Sequence, residues 1–270
     1  MTDIIYPVVV LGGLGSAFGV ILAIASKVFF VPTDPRVEEL QNVLPGANCG
    51  ACGYPGCAGL ASALAEGKAP VNACSIGGQK VADMVADILG AASETVEKQV
   101  AVVLCQGDCD KAKDKYIYEG IQDCRIADTL ADGQKSCSFG CLGCGTCYNV
   151  CQFDAIEMIN GVAVIDREKC TACKKCVEVC PKHIIEMVPY DNHAIVKCKS
   201  EDTGKVVRSH CTIGCIGCKI CVKNCPEDAF TFENNLAKII YDKCTNCMTC
   251  VEKCPTKCIV NPVEEESLVN

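Results

Sequence analysis

Cysteine spacing is the feature of this sequence that most directly predicts chemistry. The chain has 270 residues, of which 27 are cysteines. Four runs have the spacing C-x2-C-x2-C-x3-C. In runs of this kind the first three cysteines bind one [4Fe–4S] cluster, and the fourth binds the cluster of the neighbouring run. The runs therefore predict four clusters in two pairs, and their chemistry would be one-electron transfer.

Each cluster in this crossed pattern takes three cysteines from one run and a fourth from the partner run. We number the four resulting sites by the order of their runs. Site 1 comprises Cys141, Cys144, Cys147 and Cys180, and site 2 comprises Cys170, Cys173, Cys176 and Cys151. Site 3 comprises Cys215, Cys218, Cys221 and Cys254, and site 4 comprises Cys244, Cys247, Cys250 and Cys225. In each run we expect the fourth cysteine at the start of a helix.

A fifth candidate site, the N-terminal site, precedes these runs. Its cysteines have the spacing C-x2-C-x4-C-x16-C and are Cys49, Cys52, Cys57 and Cys74. Four thiolates are the number that a cubane cluster needs, and the glycines among them let backbone N–H groups turn toward the sulfurs. Zinc also takes four thiolates and is the alternative metal here.

Seven cysteines lie outside these five sites, because the sites use 20 of the 27. Cys105, Cys109, Cys124 and Cys137 have the right number for a sixth cluster, although their spacing is irregular. A second arrangement joins Cys124, Cys137, Cys198 and Cys211 around one cluster, and Cys137 could also compete with Cys144. Cys258 is better interpreted as a buried small hydrophobe than as a ligand. The sequence thus predicts five [4Fe–4S] clusters and leaves a sixth open.

An internal repeat organises the chain around these sites. A constant offset of 74 residues carries ten cysteines onto ten others without a gap, including Cys124 onto Cys198 and Cys137 onto Cys211. Such self-similarity indicates duplication of one structural unit. Alternating stretches at 161–165 and 237–241 predict short strands between the runs.

The predicted fold class is therefore α+β. It consists of an N-terminal transmembrane helix, a small and mainly helical cluster module, and two tandem ferredoxin-like domains with two clusters each. The predicted boundaries are 1–30 for the helix, 31–95 for the module, 96–136 for a linker with a possible extra cluster, 137–195 and 196–262 for the two domains, and 263–270 for a tail.

The N-terminal segment predicts a membrane span. Residues 4–26 contain no charge, and a helix of about 23 residues would be roughly 35 Å long, enough to cross the hydrocarbon core. Lys27 and Arg36 follow the span while Asp3 precedes it, so the positive-inside rule places the cysteine-rich part in the cytoplasm. A signal peptide is the alternative, but a basic start and a cleavage site are missing. Gly15 and Gly19 form a G-x-x-x-G pair against which a helix of another subunit could pack.

Composition excludes several other functions. The net charge of −8 and the pI near 5.0 argue against a nucleic-acid partner, which needs clustered Lys and Arg. Neither G-x-G-x-x-G after a strand nor a P-loop is present, so we expect no nucleotide or flavin on this chain. We expect the cysteines to be free thiols in a reducing cytoplasm, where they can ligate iron, and not to form a disulfide scaffold. The three histidines are scattered singly and are interpreted as surface or packing residues.

The chain has one membrane span, then C-G-A-C-G-Y-P-G-C at 49–57, then ferredoxin repeats. This order resembles the B subunit of the Rnf complex in its longer, cluster-rich form. The resemblance implies an oxidoreductase complex in the cell membrane that moves electrons from reduced ferredoxin to NAD+ and couples them to outward Na+ or H+ transport. It implies that this subunit takes electrons from soluble ferredoxin and passes them to other membrane subunits. The alternatives are the electron-transfer subunit of another membrane reductase or hydrogenase, a soluble polyferredoxin or cluster carrier, and a redox sensor.

Overall fold

The structure is a computed structural model that describes residues 2–28, 34–92, 95 and 97–262. The predicted tail at 263–270 lies outside the described residues. The described chain forms an N-terminal helix, a helical module and two units that share one order of elements.

The N-terminal segment forms one long helix, α1, from Thr2 to Val28. Its part from Val9 to Val28 has a mean hydropathy of 2.1, and none of it is buried against the rest of the chain. At 1.5 Å per residue these 20 residues span about 30 Å, the thickness of a hydrocarbon core. Within the described residues, α1 is the one helix long and apolar enough to cross a membrane.

The N-terminal module is helical, as predicted. Its helices are α2 Pro35–Val43, α3 Gly56–Ala65 and α4 Gly78–Leu89. The side chain of Asp34 caps α2 by accepting the N–H of Arg36, and α4 ends at Gly90, whose φ of 64° suits a left-handed cap. Fully buried leucines on α2 and α3 fill the module core together with valines of α4. This core fixes the loop and the helix that carry the N-terminal site.

The remaining chain contains two units with the same order of elements: strand, helix, helix, hairpin, helix, strand. The first unit comprises β1 Gln99–Val103, α5 Cys124–Thr129, α6 Thr146–Val150, β2 Ile156–Ile159, β3 Val162–Ile165, α7 Lys175–Val179 and β4 Ile185–Pro189. The second comprises β5 Ile195–Val196, α8 Gly204–His210, α9 Ile220–Asn224, β6 Phe230–Glu233, β7 Leu236–Ile239, a 3-10 turn at Tyr241–Lys243, α10 Thr249–Lys253 and β8 Ile259–Val260.

The strands form two-stranded antiparallel sheets. The hairpin pairs are β2 with β3 and β6 with β7, and the first strand of each unit pairs with its last, β1 with β4 and β5 with β8. Each unit is therefore closed by pairing its two ends. The segment predicted to be a linker, 96–136, differs from that expectation because it carries β1, a strand of the first unit. Its apolar residues at 100–103 are buried, and it lies too far from the cysteine runs for spacing to reveal it.

The strand register shows which residues of the two units are equivalent. The N–H of Leu104 donates to the carbonyl of Ile184 at 2.7 Å, and the N–H of Lys197 donates to that of Cys258 at 2.9 Å. The two accepting residues, Ile184 and Cys258, are 74 residues apart in the chain. The two donating residues, Leu104 and Lys197, are 93 residues apart. The first unit therefore has 93 − 74 = 19 extra residues between its first strand and Cys137. We call residues 106–124 the insertion.

This strand register changes which cysteine of the first unit is equivalent to Cys198. Cys198 follows the end of β5 by two residues, and Cys105 follows the end of β1 by two residues. Cys105 is thus the structural equivalent of Cys198, although the constant offset pairs Cys124 with Cys198. Cys124 lies at the far end of the insertion and happens to occur at the repeat spacing.

Candidate iron–sulfur sites

Short helices position the cysteines of each run. The third cysteine lies within the first two residues of a five-residue helix, and the fourth is the residue that caps the C-terminal end of that helix. The expectation that the fourth cysteine starts a helix is therefore wrong, because each helix is too short to continue past it. The residue before each helix has a positive φ, which turns the chain sharply into the helix; these residues are Gly145, Lys174, Lys219 and Met248.

Sites 3 and 4 each surround a cavity, in the crossed arrangement. A cavity of about 380 Å³ is lined by Cys215, Cys218, Cys221 and Cys254. Another of about 350 Å³ is lined by Cys225, Cys244, Cys247 and Cys250. In both cases three thiols come from one run and the fourth from the partner run. The structure thus brings together the two sets that the sequence grouped.

Site 2 is assembled in the same way. Burial, together with the neighbouring Cys170, Cys173 and Cys151, raises the pKa of Cys176 to about 12. The N–H of Ala101 on β1 donates to Cys170 Sγ at 3.4 Å. The strand missed by spacing analysis therefore supplies a hydrogen bond to a candidate ligand, and such bonds stabilise an anionic cluster.

Site 1 contains five thiols instead of four. Cys124 lines its cavity of about 350 Å³ together with Cys141, Cys147 and Cys180. Cys144 is buried directly beside Cys124 and hydrogen-bonds it. The N–H of Cys124 donates to the side chain of Thr146 at 2.7 Å, which fixes Cys124 against the run. Sequence analysis missed this position because Cys124 comes from the insertion and not from a run.

We expect the extra thiol to make Cys144 individually dispensable. Cys144→Ala and Cys124→Ala should each keep the site 1 cluster, since the remaining thiol can ligate the same iron of the cubane. The double variant should lose about four irons per chain. Iron analysis of the anoxically purified chain measures this. If Cys144→Ala alone loses as much iron as the double variant, Cys124 cannot replace it.

The N-terminal site also surrounds a cavity. Its four cysteines line about 320 Å³ between the loop after α2, the start of α3 and the segment before α4. Asn48 Oδ1 accepts the N–H of Cys57 at 2.8 Å, and a Cβ on Gly56 would come within 2.8 Å of that oxygen. Gly56, with φ of 76°, is therefore required for the close turn that presents Cys57.

The donor chemistry at these sites fits iron–sulfur clusters. Burial raises the pKa of Cys147 and Cys221 to about 12 and that of Cys250 to about 11. Such thiols keep their protons until a metal displaces them, so cluster binding is coupled to proton release. The sulfurs stand around cavities and do not converge on a point: across the described ranges, no three His, Cys, Asp or Glu side chains could hold a single metal ion.

The remaining cysteines are not grouped as the sequence suggested. Cys105 and Cys137 line a cavity of about 500 Å³ with Cys198 and Cys211, at the joint between the two units. The structure does not bring Cys109 and Cys124 to this joint cavity. Cys109 is exposed and lies against Gly161, and Cys124 belongs to site 1. Cys137 faces the joint cavity and therefore does not compete with Cys144.

Cys258 is buried, as predicted. It is 1% exposed and occupies the position equivalent to Ile184, which is 2% exposed. Its thiol also hydrogen-bonds the sulfurs of Cys198 and Cys215. Cys258 therefore packs as a small hydrophobe while contacting candidate ligands of two neighbouring cavities.

Comparison with known proteins finds iron–sulfur families over the parts of the chain that contain the cysteine sites. An Fe-S cluster family matches residues 44–76, and two 4Fe-4S dicluster families match residues 138–187 and 205–255. The B subunit of the Na+-translocating ferredoxin:NAD+ oxidoreductase complex of Acetobacterium woodii is 51% identical over 98% of this chain and 80% of the relative. The chain belongs to the family of Rnf complex B subunits. It is an iron–sulfur electron-transfer subunit of such an oxidoreductase complex.

Two further Rnf B subunits cover most of both chains. The B subunit of the ion-translocating oxidoreductase complex of Methanosarcina acetivorans is 43% identical over 90% of this chain and 92% of its own. The B subunit of the proton-translocating ferredoxin:NAD+ oxidoreductase complex of Clostridium ljungdahlii is 42% identical over 91% of this chain and 87% of its own. The relatives differ in the ion that their names give, sodium or proton.

Proposed function

We propose that this chain takes electrons from reduced ferredoxin and passes them through protein-bound [4Fe–4S] clusters to partner subunits of its Rnf complex. The observation that carries the proposal is that cysteines of each predicted set lie together, with crossed pairing in both units. In site 1 the fourth predicted cysteine, Cys144, lies beside Cys124, which lines the cavity. Each [4Fe–4S] cluster, when bound, takes up and releases one electron. Within this proposal the two units are tandem ferredoxin-like domains, and the cysteines of the N-terminal site and of sites 1 to 4 are the ligands of five clusters.

The residues around the cysteines support this role. Backbone N–H groups donate to candidate ligand sulfurs, as Ala229 does to Cys225 at 3.3 Å and Ala51 to Cys49 at 3.5 Å. These bonds stabilise negative charge on the sulfurs and raise the potential of a bound cluster. Buried apolar side chains pack against cysteines of both units, and the third cysteine of every run is itself buried. The chain therefore holds its clusters and tunes their potentials.

The membrane helix supports the placement of the chain in a membrane complex. The described side chains of α1 from residue 9 to 28 face away from the rest of the chain, and a Cβ placed on Gly15 or Gly19 would meet nothing within 4 Å. Lys27 lies in the last turn, on the side that leads to the cysteine-rich part. The positive-inside rule then places that part in the cytoplasm, where soluble ferredoxin is found.

Deletion of α1 tests the proposal. A chain lacking residues 2–28 should stay soluble and keep its clusters, because the folded part does not bury α1. It should still accept electrons from reduced ferredoxin, but it should not restore ferredoxin-dependent NAD+ reduction to membranes that lack this subunit. The full chain should restore that activity. Restoration by the truncated chain would refute the role of α1 in assembly, and failure of reduced ferredoxin to reduce either chain would refute the donor.

A further inference from the structure

The joint cavity contains two equivalent cysteines from each unit. Cys105 and Cys198 each follow the first strand of a unit by two residues, and Cys137 and Cys211 are related by the repeat offset of 74. All four line the same cavity of about 500 Å³. The cavities of sites 1, 3 and 4 and of the N-terminal site are smaller, at about 320 to 380 Å³. The joint cavity therefore has the thiol number and the room of a cubane site.

The hydrogen bonds at Cys105 and Cys198 repeat this symmetry. Cys105 Sγ accepts the N–H of Gly107 and the N–H of Cys141, both at 3.4 Å. Cys198 likewise accepts the N–H of Ser200, two residues after it, and the N–H of Cys215, the repeat equivalent of Cys141. Bonds of this kind surround the ligands of iron–sulfur clusters.

Glycines also lie beside these sulfurs. A Cβ on Gly140 would lie 3.8 Å from Cys137 Sγ, and a Cβ on Gly214, its repeat equivalent, would lie 3.8 Å from Cys198 Sγ. A Cβ on Gly107 would lie 3.5 Å from Cys211 Sγ and 3.6 Å from Cys105 Sγ. These distances are ordinary van der Waals contacts, so the backbone lies against the thiols on several sides.

The insertion holds the two units together at this place. Its residue Ala112 forms a bridge with Cys211, supported by Lys113 N–H to His210 carbonyl at 2.8 Å and Thr212 N–H to Lys111 carbonyl at 2.9 Å. On its other side, the N–H of Ser136 donates to the carbonyl of Lys113 at 2.8 Å. One short segment therefore fixes the chain next to Cys137 and the chain next to Cys211 against each other.

Two polar groups in the cavity wall favour an anionic ligand. Lys135 is 3% exposed, and its ammonium donates to the carbonyl of Gly107 at 2.5 Å. Burying a positive charge is unfavourable unless negative charge lies close to it. His210 also lines the cavity, and its Nδ1 is buried without a hydrogen-bond partner among the described residues. A cluster with four thiolate ligands is anionic and would compensate the charge of Lys135, and its sulfurs could accept a hydrogen bond from His210 Nδ1 in the tautomer that carries the proton there.

We propose that Cys105, Cys137, Cys198 and Cys211 bind a sixth [4Fe–4S] cluster that connects the two units. The inference rests on the proposed function and adds the link between its two halves. Cys141 of site 1 and Cys215 of site 3 each contact a ligand of the joint cavity through one hydrogen bond. An electron moving from site 1 to site 3 through this position oxidises the first cluster and reduces the last, and no proton or further reactant is needed.

Iron analysis of the anoxically purified full chain tests the sixth site. The wild-type chain should contain about 24 irons, and Cys198→Ala and Cys137→Ala should each contain about 20. Cys109→Ala is the matched control, because Cys109 belongs to the same insertion but is exposed, and it should keep the wild-type content. Lys135→Met should keep the iron but lower the reduction potential of one cluster in an EPR-monitored titration, since it removes a positive charge beside that cluster.

Other outcomes would overturn the inference. A wild-type content of about 20 irons that neither variant changes would leave five clusters and no sixth. One zinc per chain that is lost in Cys198→Ala would assign the cavity to a structural zinc ion. Failure of the proposed function would look different: reduced ferredoxin would not reduce the chain at all, whatever its iron content. A folding defect would lower all cluster signals together, whereas loss of the sixth cluster leaves the others in place.

Discussion

Replacing Cys225 with alanine should remove the cluster of site 4 and leave the cluster of site 3 in place, although Cys225 belongs to the site 3 run. Cys225 lines the cavity of Cys244, Cys247 and Cys250, and the cavity of its own run is lined instead by Cys254. The loss should be about four irons per chain. Electron transfer through the second unit should fall by a large factor, because one of its two clusters is gone.

Double variants identify which cluster is lost. Cys225→Ala combined with Cys247→Ala should lose no more iron than Cys225→Ala alone, because both residues serve one cluster. Cys225→Ala combined with Cys218→Ala should lose about eight irons, because two clusters are affected. Cys218 and Cys247 are matched, since both are exposed second cysteines of their runs. The reverse pattern of losses would show that each run binds its own cluster with all four cysteines.

Iron removal should unfold the two units while leaving much of the N-terminal module helical. The units consist of helices of five to seven residues and strands of two to five residues, and their cores contain many cysteines. Two-stranded sheets of this size are marginal on their own, and metal-binding free energy contributes directly to folding. The melting temperature of the units should fall by roughly 20 °C or more, or their cooperative transition should vanish.

Segment-resolved hydrogen exchange measures this effect on the chain after chelation with its thiols kept reduced. Amides of β5 and β8, which have two residues each, should lose protection. Amides of α4 should keep more of theirs, because Leu40, Leu60, Leu64 and Val85 belong to a core whose buried residues include no cysteine. Protected amides in β5 and β8 without iron would contradict the dependence of the units on clusters.

The grouping of cysteines into sites 1 to 4 followed from sequence because the spacing within a run is local. Three thiols separated by two residues each can surround one cubane without help from the rest of the fold. The apolar helix α1 could also be predicted from the sequence, since its length and hydropathy alone define it. These features needed no knowledge of how distant segments meet.

The joint cavity could not be predicted in this way, because its cysteines come from two units and their arrangement depends on strand register. The insertion displaced Cys105 from the repeat offset, and Cys124 happened to fall at that offset. Only the pairing of β1 with β4, against that of β5 with β8, shows which cysteine is equivalent to Cys198. Cys124 likewise joins site 1 through a contact with Thr146, 22 residues away.

In the proposed function, electrons enter this chain from reduced ferredoxin and pass onto its clusters. The most direct measurement mixes reduced ferredoxin with the anoxically purified full chain and follows the sulfur-to-iron charge-transfer absorbance of both proteins. We predict that ferredoxin is oxidised while the clusters of this chain are reduced, one electron at a time. Ferredoxin that stays reduced in the presence of a chain with its full iron content would contradict the account.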